Sequence, residues 1–110
     1  MSDRQSGLDI IEVRAAGRVR LRLRGELDLA SAPTLKHRLE TLRDRSEPVL
    51  VDLDELAFID MSGLRVLMAA SEEASSDGWS FAVTRGSTPV RRLVGLVRLK
   101  RPLPVDGHLK

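Results

Sequence analysis

The segment Asp60-Met61-Ser62-Gly63 puts a hydroxyl where a loop turns into a helix, beside a carboxylate and a residue with no side chain to crowd it. A helix start leaves backbone N–H donors without intrahelical partners. A phosphate on Ser62, carrying about −1.5 to −2 charges, would meet a locally favourable field there, opposed by Asp60 and Asp28. The same four residues also read as an ordinary helix start in which Asp60 or Ser62 caps the first turn. Asp52, Asp54, Glu55 and Asp60 fall around the end of an apolar strand and in the loop that follows it. Open α/β sheets place their sites at such strand ends, but a hard cation needs several oxygens converging on one point, and acidic clustering alone does not supply that. Glu26 and Asp28 mark the end of an earlier strand. Nucleophilic catalysis by Ser62 would need a base, and the only histidines are His37, on the polar face of a helix, and His108, in the tail. No GxxxxGK[ST] occurs, and Gly17, Gly25 and Gly63 are too dispersed for a dinucleotide fingerprint. Gly86-Ser87-Thr88-Pro89 could form a phosphate nest and equally reads as a plain helix start.

The elements that would position these residues follow from periodicity. Leu8 to Val13 reads as a first strand, closed by Ala16-Gly17. Val19, Leu21 and Leu23 alternate with Arg18, Arg20, Arg22 and Arg24, so one face of the second strand is core and the other is wet. Ser31 is the expected N-cap of a helix with Pro33 in its first turn and Leu35, Leu39 and Leu42 inward. Val49 to Leu53 is dense enough in apolar residues for a central strand, and the strand-helix-strand order predicts a parallel, right-handed crossover. A second helix carries Leu64, Leu67, Met68, Ser71 and Ala74 at steps of three and four until Gly78 stops it. Trp79 to Thr84 reads as a strand. Thr88-Pro89 opens a third helix with Val90, Leu93, Val94 and Val97 inward, and Leu103 to Val105 as a brief closing strand.

The chain of 110 residues has room for one core. At 42% hydrophobic and 31% charged it is neither a disordered composition nor one with an apolar run able to cross a bilayer. The absence of cysteine removes thiolate catalysis, thiolate metal sites and disulfides, and no secretion signal precedes the patterned region, so the cytoplasm is the expected address. A net charge of +2 with two Phe, one Trp and no Tyr offers no stacking platform for nucleic acid. The expected organisation is a flexible N terminus over 1–7, one α/β domain over 8–105 and a flexible tail over 106–110.

Two stretches in this order, "GELDLASAPTL" from Gly25 to Leu35 and "VLVDLDELAFIDMSGLRVLMAA" from Val49 to Ala70, resemble the STAS domain family, in particular bacterial anti-sigma factor antagonists. The resemblance spans Leu8 to Val105. It implies a STAS-like single domain of the α/β class, with a mixed sheet of four to five strands and helices packed mainly on one face. It further implies that Ser62 is phosphorylated by a partner anti-sigma factor that is a serine kinase, and that a phosphatase resets it. Asp28, Ser31, Thr34, Asp60, Met61, Ser62, Gly63 and Arg65 are the expected partner-binding residues. Asp60 and Gly63 would shape the Ser62 loop. No catalytic residue, cofactor, metal, nucleic acid or membrane is expected. The family often carries a further helix after its last strand, and "PVDGHLK" is too short to supply one. STAS domains also occur in larger signalling complexes, and a non-catalytic scaffold subunit not controlled through Ser62 is the alternative.

Overall fold

A computed structural model describes the backbone of residues 2–5 and 7–106, with side chains from residue 7 to residue 106. The expected tail and His108 lie at or beyond the end of that range. The sheet runs in the order β1 (Ser2–Gln5), β2 (Leu8–Ala15), β3 (Arg18–Leu27), β4 (Val49–Ile59) and β5 (Phe81–Val83). β1, β2 and β3 pair antiparallel; β3, β4 and β5 pair parallel. Two parallel crossovers are made by α1 (Ala32–Asp44) and α2 (Met61–Asp77), and α3 (Thr88–Leu96) follows β5. β1 precedes Leu8, where the sequence pattern begins, and forms an edge strand in the segment expected to be flexible.

The alternation in β3 is realised as read. Val19, Leu21, Leu23 and Leu27 are buried with Val49, Val51 and Leu53 of β4, and all three helices pack on that face: Leu35, Leu39 and Leu42 from α1, Leu64 and Leu67 from α2, Val90 from α3. Each fully buried leucine contributes about 1.5–3 kcal/mol through removal of apolar area from water. On the helix-free face the arginines are paired rather than merely wet. Arg20 donates to Asp52 at 2.6 and 3.1 Å, Arg22 to Glu55 at 2.7 Å, and Arg24 Nε lies 3.0 Å from the same Glu55.

Those pairs correct the reading of the acidic cluster. β4 does not stop at Leu53 but continues to Ile59, because two register shifts against β3 let the segment stay extended while its alternation slips. Asp52 and Glu55 are therefore strand residues bound to arginines. Asp54 accepts the Gly86 N–H at 3.1 Å, so the Gly86 turn holds a carboxylate of its own chain. Among the described residues no group of three or more His, Asp or Glu could hold a metal ion. β5 is shorter than the expected Trp79 to Thr84. Trp79 donates from its indole to the Glu47 carbonyl at 2.7 Å, and Thr84 Oγ1 accepts from Leu53 N–H at 2.8 Å, so one end of that segment is tied to the α1–β4 loop and the other to β4. The closing strand reduces to one parallel bridge between Val105 and Val83.

Candidate functional site: the corner at the start of α2

β3 and β4 are parallel, so their C-terminal ends meet at one corner with the starts of α1 and α2. Asp60 is the N-cap of α2. Its backbone is extended, and its carboxylate accepts from Gly63 N–H at 3.2 Å while its carbonyl accepts from Leu64 N–H at 3.0 Å. This makes Asp60, not Ser62, the cap. Its own N–H donates to the Leu27 carbonyl at 3.2 Å, which ties the α2 start to the end of β3. Ser62 is left as the second residue of the helix, partly exposed, with no hydrogen bond from its hydroxyl among the described residues. No acidic residue lies in the first turn, so the first turn carries no negative charge of its own.

Gly63 is buried for a reason other than leaving the Ser62 hydroxyl uncrowded. A Cβ at this position would sit 2.5 Å from Leu27 Cγ and 2.9 Å from the Leu27 carbonyl oxygen. Only a residue without a side chain lets α2 approach β3 this closely, and the approach fixes where Ser62 is presented.

The β3–α1 turn is organised by Asp28 and Ser31. Asp28 Oδ1 accepts from the N–H groups of Ala30 and Ser31 at 3.0 and 3.1 Å. Ser31, expected as a side-chain cap on the partner face, is completely buried and its hydroxyl caps nothing in α1. It donates instead to the Glu26 carbonyl at 2.8 Å and accepts from Asp28 N–H at 3.0 Å, a latch across the end of β3. Asp28, Thr34 and Met61 are half-buried at the corner, while Arg65 is exposed one turn along α2 and lines a cleft of about 220 Å³ against Lys36 and Glu40 of α1. His37 is exposed on α1 and makes no hydrogen bond with Ser62.

Two exposed apolar residues near the C-terminal ends of β3 and β4 were passed over by sequence reasoning. Leu29 is 75% exposed at the tip of the β3–α1 turn, and Phe58 is 47% exposed where β4 pairs with Glu26. Phe58 gave no sequence signal of its exposure, because the slipped register of β4, which turns it outward, is set by pairing with β3. Leu29 gave none, because a single leucine in a turn is ordinary.

Comparison with known proteins agrees with this arrangement. The family profile described as "Mlab, STAS domain" matches residues 11–105. The chain is 26% identical over 89 residues to the anti-sigma-B factor antagonist of Bacillus subtilis, covering 81% of this chain and 82% of that protein. It is 29% identical over 87 residues to the anti-sigma F factor antagonist of Paenibacillus polymyxa, covering 77% and 74%. The crystal structure of an anti-sigma factor antagonist from Mycobacterium paratuberculosis superposes with a TM-score of 0.71 at 25% identity, over 81% of this chain and 76% of that one. A one-faced α/β sheet with its exposed serine at the start of α2 and a profile match over nearly its whole length place this chain in the STAS domain family, where it resembles the bacterial anti-sigma factor antagonists.

Proposed function

We propose that this chain is an anti-sigma factor antagonist switched off by phosphorylation of Ser62. In the unphosphorylated state the corner formed by Asp28, Leu29, Phe58, Met61 and Ser62 binds an anti-sigma factor that is also a serine kinase, and in doing so releases a sigma factor. The observation that carries this reading is Ser62 itself, a partly exposed hydroxyl in the first turn of α2 with no hydrogen bond among the described residues. A kinase can reach such a hydroxyl without unfolding the helix. A partner covering Leu29 and Phe58 gains apolar burial and brings its own groups close to the oxygen. Phosphate placed there introduces about −1.5 to −2 charges and three bulky oxygens into a closely packed contact, next to Asp60 and Asp28. The fold tolerates the group because the start of α2 leaves the Met61 and Ser62 N–H donors without intrahelical partners. ATP belongs to the kinase, so this chain is a substrate without a cofactor, and a separate phosphatase restores it. The cytoplasm, where sigma factors act, is the setting this implies.

The test mixes the purified chain with ATP and the serine-kinase anti-sigma factors of the same cell. Intact mass should rise by one phosphate, located on Ser62, and the Ser62→Ala chain should gain none while still binding. A tight complex in which no phosphate is ever transferred would count against the switch. It would favour the second reading, a non-catalytic STAS scaffold subunit in a larger complex. In that case Ser62→Asp would leave binding unchanged.

A further inference from the structure

The charge of this chain is segregated along its length. From Gly78 to Val105 there is no Asp or Glu, while Arg85, Arg91, Arg92, Arg98, Lys100 and Arg101 fall in that span. All six are exposed. Arg91 and Arg101 reach only neutral hydroxyls, Thr88 at 3.4 Å and Ser75 at 2.9 Å, and the other four make no ion pair among the described residues. In the rest of the molecule Arg14, Arg20, Arg22 and Arg43 each hold a carboxylate.

Within this cationic stretch a groove of about 550 Å³ lies between α3 and the segment after it. Its floor is Leu53, Val83 and Val90, and its walls include Val94, Val97 and Leu103. Arg85 and Arg91 line it directly, and Leu96, 77% exposed, stands beside it.

We propose that this groove is a second docking site, and that its occupant is an acidic amphipathic protein segment whose apolar side chains enter the groove while its carboxylates meet the cationic rim. Charge complementarity selects the sign of the partner: a groove lined by Arg85 and Arg91 and by no acid repels a basic segment and steers an acidic one. The shape selects its class. Apolar side chains line a concavity, which accepts protruding side chains of a helix or extended segment, whereas a flat bilayer surface would meet the rim and leave the floor empty. The stretch from Arg85 to Arg101 offers six cations, more than the single head group of a fatty acid would use. None of the groove residues belongs to the Ser62 corner, so the two sites can be occupied at once.

The experiment titrates the isotope-labelled chain with a synthetic amphipathic helix bearing leucines on one face and glutamates on the other. Expected are shifts of the amide resonances between Val83 and Leu103, an affinity that falls as salt is raised, and a loss of about tenfold or more in the Arg91→Glu, Arg98→Glu double variant, which changes exposed side chains only. Replacing the leucines of the peptide by serine should cost at least as much. The Ser62→Asp chain should bind the peptide as the unmodified chain does, so failure of the phosphorylation switch leaves this result untouched. Equal binding of a lysine version of the peptide, indifference to the double variant, absence of any shift, or sedimentation of the chain with phosphatidylserine vesicles in place of peptide binding would each overturn the proposal.

Discussion

Ser62 can be a switch because Gly63 is not a switch residue at all. The glycine lets the first turn of α2 touch Leu27, and the serine before it is thereby held at a partly exposed position. Replacing Gly63 by alanine drives a methyl into the Leu27 side chain and carbonyl, and the chain should lose about 1–3 kcal/mol of stability in urea denaturation. Phe58 and Leu29 make the opposite case. Both are exposed, so Phe58→Ala or Leu29→Ala should shift stability by no more than about 0.5 kcal/mol. Either should nonetheless weaken the complex with the anti-sigma partner by at least about fivefold in a direct titration, because apolar anchors at the centre of an interface carry most of its free energy. Equal loss of stability and of binding would mean that these side chains support the fold and not the contact. At this scale the sequence was legible for the Asp60 cap and for the placing of Ser62 in the first turn of α2. It was not legible for Ser31, whose hydroxyl turned inward to close the end of β3, since a buried latch and an exposed cap use the same residue type.

The elements show why some boundaries could be read and others could not. β3 alternates without interruption, and its two faces were correctly divided into core and arginine ladder. β4 carries two register shifts, and the broken alternation made its second half look like a loop bearing free carboxylates. Helix periodicity survived in α2, where Gly78 ends the helix in a left-handed conformation at φ 75°. Tertiary pairing, invisible in a local pattern, decided the rest: Asp52 and Glu55 are spent on the arginines of β3, and Asp54 on the Gly86 turn. A further pair links the β2–β3 hairpin to the α1–β4 loop. Arg14 forms two hydrogen bonds with Glu47, which hold the Glu47 carboxyl below its ordinary value of 4.5 against a smaller opposing effect of burial. A carboxyl lowered in the folded state stabilises that state at neutral pH, and its contribution disappears as pH falls below 4.5 through the lowered folded value. Arg14→Gln should therefore lower the thermal midpoint at neutral pH by more than it does near pH 3. A difference that stayed constant across acid titration would show that the pair does not link protonation to folding.

The whole molecule separates its tasks by position. One sheet face is given to the core and three helices, the other to a ladder of paired charges; the corner at the ends of β3 and β4 presents Ser62, and the edge beyond β5 is cationic around an apolar groove. The class of fold and the serine corner were visible in the order of the sequence motifs, while the groove was not, because its walls come from α3 and from a segment with almost no regular pairing. No helix among the described residues is long and apolar enough to cross a membrane. The account as a whole stands on the effect of one added phosphate. The most direct measurement compares the affinity of the unmodified chain and of a chain carrying phosphoserine at position 62 for the same anti-sigma factor, with circular dichroism of both. The predicted result is an affinity at least about a hundredfold lower for the phosphorylated chain, close to 3 kcal/mol, with an unchanged spectrum. Equal affinities, or a loss accompanied by unfolding of the chain, would contradict it.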